Sequence, residues 1–176
     1  MIRGKFLTSL NTDMTQDVFA LRRRVFAEEM GCPEAGAVDQ YDSMSVYALV
    51  YDEAGVPSGA GRLYIDGDGH FDIGRVCVLK EARGQGMGDL IMRMLLYRAQ
   101  ELNAPAVYLS APVDTVSFFA KYGPAPYGEV SLIEGVPHRS MKADAEQINL
   151  EGTCGGRHPC ADCTADCANC EKADRA

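Results

Sequence analysis

Nowhere in the 176 residues does an apolar run approach the ~20 needed to span a bilayer, which excludes a membrane-spanning helix. Met1 to Leu10 alternate Arg3 and Lys5 with apolar and hydroxyl residues and never sustain the apolar stretch of a signal peptide, so secretion is not expected. Basic residues are scarce, 17 Lys and Arg against 25 Asp and Glu, for a formal charge of −8 and a pI near 4.8. A net acidic surface releases no counterions from a polyanion, so neither nucleic acid nor anionic membrane is an expected partner. A cationic or amine substrate suits it better, and the whole points to a cytoplasmic protein.

Two phosphate-binding signatures are also missing. A nucleotide-triphosphate loop needs Gly-Lys-Ser/Thr at a helix start, where this chain has Gly88-Asp89. A dinucleotide fingerprint needs Gly-x-Gly-x-x-Gly after a first strand, whereas the spacing here is Gly84-x-Gly86-x-Gly88 and the loop follows several strands. No fixed-period repeat is visible.

After Gly152, Leu, Ile, Val and aromatics disappear, and nothing remains to build a core. This divides the chain into a globular domain, 1–151, and a Cys-rich tail, 152–176. Of seven cysteines, Cys32 and Cys77 lie in the body, and Cys154, Cys160, Cys163, Cys167 and Cys170 in the tail. In a reducing compartment such crowding points to metal or redox chemistry rather than disulfides. Cys160-x-x-Cys163 and Cys167-x-x-Cys170 have chelating spacing, and four thiolates could enclose one zinc, with Cys154 or His158 in reserve. The gap between the pairs is shorter than in ordinary zinc sites, and an iron–sulfur cluster lacks its usual spacing, so a flexible reduced tail is the alternative.

Over the whole chain, 47% hydrophobic residues are enough for a buried core. Lys5–Ser9 reads as a strand, and Gln16–Glu29 as a helix with Val18, Leu21, Val25 and Phe26 on one face. Val46–Tyr51, Gly59–Ile65 and Phe71–Leu79 read as antiparallel strands joined by short turns. Gly86–Leu102 carries one apolar stripe, Met87, Leu90, Ile91, Met94, Leu95, Ala99 and Leu102. Ala106–Ser110 is the next strand, Thr115–Tyr122 a short helix, and Tyr127–Ile133 and His138–Lys142 the closing strands. The fold class is α/β (α+β), a mixed, mostly antiparallel sheet flanked by helices with a central strand-helix-strand unit.

The chemistry centres on Arg75-Val76-Cys77-Val78 and Arg83-Gly84-Gln85-Gly86-Met87-Gly88, a strand that passes through a Gly-rich loop into the long helix. Alternate glycines remove Cβ atoms, so successive backbone N–H groups can close on an anion at the positive end of that helix. Arg83 adds a guanidinium where a pyrophosphate would be only partly neutralised.

The pattern Arg83-x-x-Gly86-x-Gly88, with Leu21-Arg22, Val25-Phe26, Glu29, Gly61-Arg62, Gly74-Arg75-Val76 and Gly135-Val136-Pro137-His138, resembles the ElaA-like branch of the GNAT superfamily of acyl-CoA-dependent N-acyltransferases. The resemblance covers most of residues 1–150 and not the tail. It implies that the Arg75–Leu79 strand parts from Ala106–Ser110, and that a pantetheine arm lies in the gap against the backbone of Val76 and Val78. The 83–88 loop would then hold the pyrophosphate. Cys77 is expected to be a small buried hydrophobe.

It further implies transfer of acetyl from acetyl-CoA to a small-molecule or peptide amine, by a monomer or homodimer. Glu29 matches the family's first-helix glutamate and is the leading candidate to bind the amine, with Glu28, Asp39 and Asp42 as sequence neighbours. His138 could orient substrate or shuttle protons, or be a hydrogen-bonded structural histidine at the start of the last strand, and Arg62 and Arg75 either face the acceptor or pair with carboxylates. The family's tyrosine acid is missing: Phe119 stands in its place and Pro124 replaces a phenylalanine, leaving water, Tyr122 or Tyr127 as substitutes. A non-catalytic acyl-CoA-binding module and a metal-binding protein working through its tail are the rival functions.

Overall fold

A computed structural model of the protein describes residues 1–10 and 12–151. The tail cysteines Cys160, Cys163, Cys167 and Cys170, with the zinc reading attached to them, lie outside the described residues. The elements are β1 (Arg3–Thr8), α1 (Thr12–Arg22), β2 (Val46–Tyr51), β3 (Pro57–Ile65), β4 (Phe71–Val78), α3 (Met87–Glu101), β5 (Ala106–Pro112), α4 (Val116–Ala120), β6 (Ala125–Ile133) and β7 (Val136–Asp144), with a one-turn α2 at Pro33–Gly36. Seven strands make one sheet in the order β1-β2-β3-β4-β5-β7-β6. Every pairing is antiparallel except β4 with β5, which the β4-α3-β5 crossover makes parallel.

Side-chain alternation along β3 assigns the two faces. Gly59 and Gly61 point at α3, and Arg62 points at the α1 side, where it shares Asp42 with Arg22. The two helices therefore cover opposite faces. A Cβ on Gly61 would stand 2.8 Å from Ile91 Cγ2 and 3.0 Å from Leu95 Cδ1, so the missing side chain is what lets α3 lie close to the sheet. Buried residues on α3 span a wider arc than the predicted stripe, with Met92 and Leu96 sealed beside Ile91 and Leu95, and Leu102 43% exposed. The extra coverage comes from the chain after α4. Tyr122 donates to Asp89, and Arg93 donates to the Leu150 carbonyl, which closes a second layer over the helix.

The first helix departs from its expected single run. It starts at Thr12, and Arg23–Glu29 widens into π-helical turns, with Met30 N–H bonded to Val25 O at 3.1 Å. The widened register brings Val25, Phe26, Glu29 and Met30 to one cavity wall. No helix among the described residues is long and apolar enough to cross a membrane.

Gly61→Ala should destabilise the fold by about 1–3 kcal/mol through overpacking against Ile91, measured as a lower urea midpoint at unchanged m.

Candidate active site

β4 and β5 pair only through Phe71–Ile73 and Val107–Leu109. At Arg75 the backbone turns to φ 53, and the β3–β4 register slips between Ala60 and Arg62, which places an extra residue in β4. Beyond this bulge, Cys77 and Val78 stay on β3 while β5 follows β7 as far as Pro112. The strands part, and the wedge between them is a cavity of about 800 Å³. Val76, Cys77 and Val78 line one side, Leu109 and Ser110 another, and Phe118 and Phe119 the floor beside α3.

At one end of the wedge lies the glycine loop. Gly84 and Gly86 adopt φ 77 and 80, conformations that L side chains rarely adopt, and Gly86 is the N-cap of α3 with no side-chain hydrogen bond. The first N–H groups of a helix have no partner within it. Gly86 has no side chain with which to cap them, and Gly84, Gly86, Met87 and Gly88 all line the cavity. An anion at that helix start meets donors and the positive end of the dipole together. Gly88 also gives clearance, since a Cβ there would be 3.3 Å from Phe118 Cζ.

Arg83 lines the same end. Its Nε donates to Val78 O at 3.1 Å, and its two Nη groups grip Glu29 at 2.7 and 2.8 Å. The hydrogen bond from Arg83 holds the Glu29 carboxyl below its ordinary value, and the two-point pair orients Arg83. Glu28 points away, to Arg23 at 3.6 Å, with 61% of its side chain exposed. Gln85 donates to the Glu81 carbonyl at 3.3 Å outside the cavity wall.

Neither tyrosine reaches the cleft wall. Tyr122 is buried and donates its hydroxyl to Asp89 at 2.8 Å, and burial together with that carboxylate pushes its pKa well above the ordinary phenol. Tyr127 lies on the exposed strand β6. Phe119 does line the cleft. Cys77 is buried and burial raises its thiol to about 12, which makes it packing rather than a nucleophile. His138 faces the cleft, and its Nδ1 is 2.9 Å from the Val136 carbonyl. A carbonyl only accepts, so Nδ1 carries a proton, and Nε2 is the ring nitrogen turned from that bond.

The α1 side holds a charge cluster that the residue pattern did not reveal. Asp42 Oδ1 takes Arg22 and Arg62 at 2.7 Å each, and Asp39 takes Arg62 at 2.6 and 2.7 Å. Tyr47 donates to Asp42 at 3.0 Å, and the Asp39 N–H to Asp42 Oδ2 at 2.8 Å. Burial alone would raise both carboxyls, but the hydrogen bonds outweigh it and hold them below the usual range. Asp39 and Asp42, named only as neighbours of Glu29 in sequence, thus tie the 37–44 loop to α1 and β3. Asp89, Ser110 and Glu134 also line the cavity and were not singled out. No local pattern marks them, because each comes from a different element.

A strand that parts from its neighbour and runs through a Gly loop into a helix leaves an apolar slot with an anion-compatible end. Residues 15–145 match the family described as Acetyltransferase (GNAT) domain, and the chain belongs to it as an N-acetyltransferase with an acyl-CoA cosubstrate. It is 33% identical to the uncharacterized N-acetyltransferase YjcF of Bacillus subtilis (strain 168), over 80% of this chain and 99% of that one. Among solved structures, an acyl-CoA N-acyltransferase from Pseudomonas aeruginosa superposes with a TM-score of 0.73 at 27% identity, over 81% of this chain and 99% of that one. Escherichia coli ElaA gives 0.74 at 25%, over 82% and 100%.

Asp42→Asn leaves Arg22 buried with a neutral partner and should cost about 3–5 kcal/mol of stability. Because Asp39 and Asp42 titrate below their unfolded values, their stabilisation is complete above about pH 4. Urea melts of the parent chain should therefore weaken as pH falls through the lower, folded values, and those of the Asn variant less steeply.

Proposed function

We propose that the protein transfers an acetyl group from acetyl-CoA to an amine by direct attack. The carrying observation is the β4–β5 wedge that ends on the uncapped start of α3, a long apolar slot with an anion site at one end. It fits a thioester on an extended arm with a pyrophosphate at its far end. Backbone N–H groups at 84–88 and Arg83, held by Glu29, bind the pyrophosphate, and the edge of β4 that has left β5, at Val76 and Val78, receives the arm, with the Val78 carbonyl already taken by Arg83 Nε.

The acceptor enters from the side of Arg75, Glu134 and His138. An alkyl ammonium with a pKa near 10.4 must lose a proton before it attacks. That first proton goes to solvent; as the neutral amine attacks and the N–C bond forms, His138 Nε2 takes a second proton from the nitrogen, the C–S bond breaks, and the CoA thiolate that leaves is protonated by His138 or by water. A thiol with a pKa near 8.5 leaves as thiolate with little help, which is compatible with Phe119 where an acid is otherwise expected. On this reading the acceptor is a small molecule or peptide, and the protein works in the cytoplasm as a monomer or homodimer without nucleic acid or membrane.

Tyr122, bonded away from the cleft, favours the second reading, a non-catalytic acyl-CoA-binding module. Calorimetry and CoA release across an amine panel separate the two: saturable acetyl-CoA binding with turnover supports the enzyme, and binding without turnover supports the module. Arg83→Ala with Gly86→Ala should weaken acetyl-CoA binding by about 100-fold or more, since a charged donor and the left-handed N-cap are lost together. His138→Gln should lower kcat/KM by about 10²–10⁴ with acetyl-CoA affinity unchanged.

A further inference from the structure

The charge cluster beside the cleft is unbalanced. Three guanidiniums, Arg22, Arg62 and Arg75, surround two carboxylates, Asp39 and Asp42, leaving one more positive charge than negative. Arg22 and Arg62 hold the carboxylates at 2.6–2.7 Å and are sealed, with side chains 1% and 5% exposed. Arg75 gets the remainder. Its one ion pair among the described residues is with Asp39 Oδ2 at 3.5 Å, an oxygen that Arg62 already holds at 2.6 Å. Its side chain is 26% exposed and lines the cleft.

A guanidinium partly withdrawn from water and weakly paired is costly unless an anion arrives. Burial, and then the charges of Arg22 and Arg62, hold Arg75 below the ordinary arginine value, which is the same shortage of negative charge seen electrostatically. It remains charged at neutral pH. At the bulge, φ 53 strains an arginine more than a glycine or an asparagine, and the position carries arginine. Across the cleft, Glu134 lies in the two-residue turn between β6 and β7 and acts on Arg75 through its charge without an ion pair within 4 Å. The cleft therefore has a cationic pole at Arg75 and an anionic one at Glu134.

We propose that Arg75 anchors a carboxylate carried by the acceptor, so that the enzyme acylates amines of the amino-acid class, with Glu134 and His138 toward the amine. The inference rests on the acyltransferase reading. The carboxylate is held and not consumed: the amine nitrogen gains the acyl group, the thioester C–S bond breaks, and the product is an N-acyl amino acid.

The test pairs each amino acid with its decarboxylated amine, phenylalanine with phenethylamine and lysine with cadaverine, with the full chain, acetyl-CoA and CoA release as readout. The carboxylate member of at least one pair should be preferred by about 10-fold or more in kcat/KM. Arg75→Asn, which suits the backbone, should lower kcat/KM for amino acids by about 10–100-fold, chiefly through KM. It should lower kcat/KM for the decarboxylated amines by less, so that the preference within each pair falls toward 1. Arg75→Lys should retain part of the preference. Decarboxylated amines turned over as well as or better than amino acids would overturn the proposal while leaving the acyltransferase intact. So would acetyl-CoA binding without turnover of any amino acid, or an equal loss on both members in Arg75→Asn. If Arg75→Asn does not fold, the parent comparison and Arg75→Lys decide. Absence of acetyl-CoA binding would bring down the acyltransferase reading itself, and this inference with it.

Discussion

The parting of β4 from β5 at the Arg75 bulge is the constraint from which the rest of the structure follows. A parallel ladder that continued past Ile73 would satisfy the edges of both strands and leave no slot between them. Because one extra residue turns β4 aside, its far half keeps its bonds to β3 and presents its other edge to a wedge. The same strand then delivers the chain to the glycine loop and the start of α3. Slot and anion site are thus in register because one continuous segment builds both.

Charge is organised locally and against the global sign. The chain is acidic overall, with a formal charge of −8, yet the wall beside Arg75 carries more guanidinium than carboxylate. Net charge acts on long-range encounter and is screened within about 8–10 Å in physiological salt, whereas groups inside a cleft respond to partners a few ångströms away. The expectation of a cationic or amine substrate, drawn from composition, therefore bears on approach to the protein and not on the chemistry of its pocket.

Glu29 illustrates how far a residue's part depends on its partner. On the helix it reads as an acid free to meet an amine, but Arg83, 54 residues away, takes both of its oxygens. The π-helical turns that end the first helix carry Glu29 to the loop, so a local irregularity and a long-range ion pair place it together. Tyr122 is the reverse case. Its position three residues past Phe119 keeps it out of the cleft, and Asp89 satisfies its hydroxyl in the interior.

The sequence by itself determined the elements and the loop. Apolar periodicity marks α3, short turn-rich connectors mark off β2 to β4, and three glycines at alternate positions mark a turn whose backbone needs Gly84 and Gly86 at positive φ. These are requirements of neighbouring residues, which a linear pattern records. Tertiary structure alone decided the bulge at Arg75, the pairing of Arg83 with Glu29, and the gathering of Arg22, Arg62, Asp39 and Asp42. Those contacts join residues 20 to 54 positions apart, and many carboxylates on an acidic chain can satisfy an arginine on paper. Which one does is set only when the sheet and its two covering helices fix the distances.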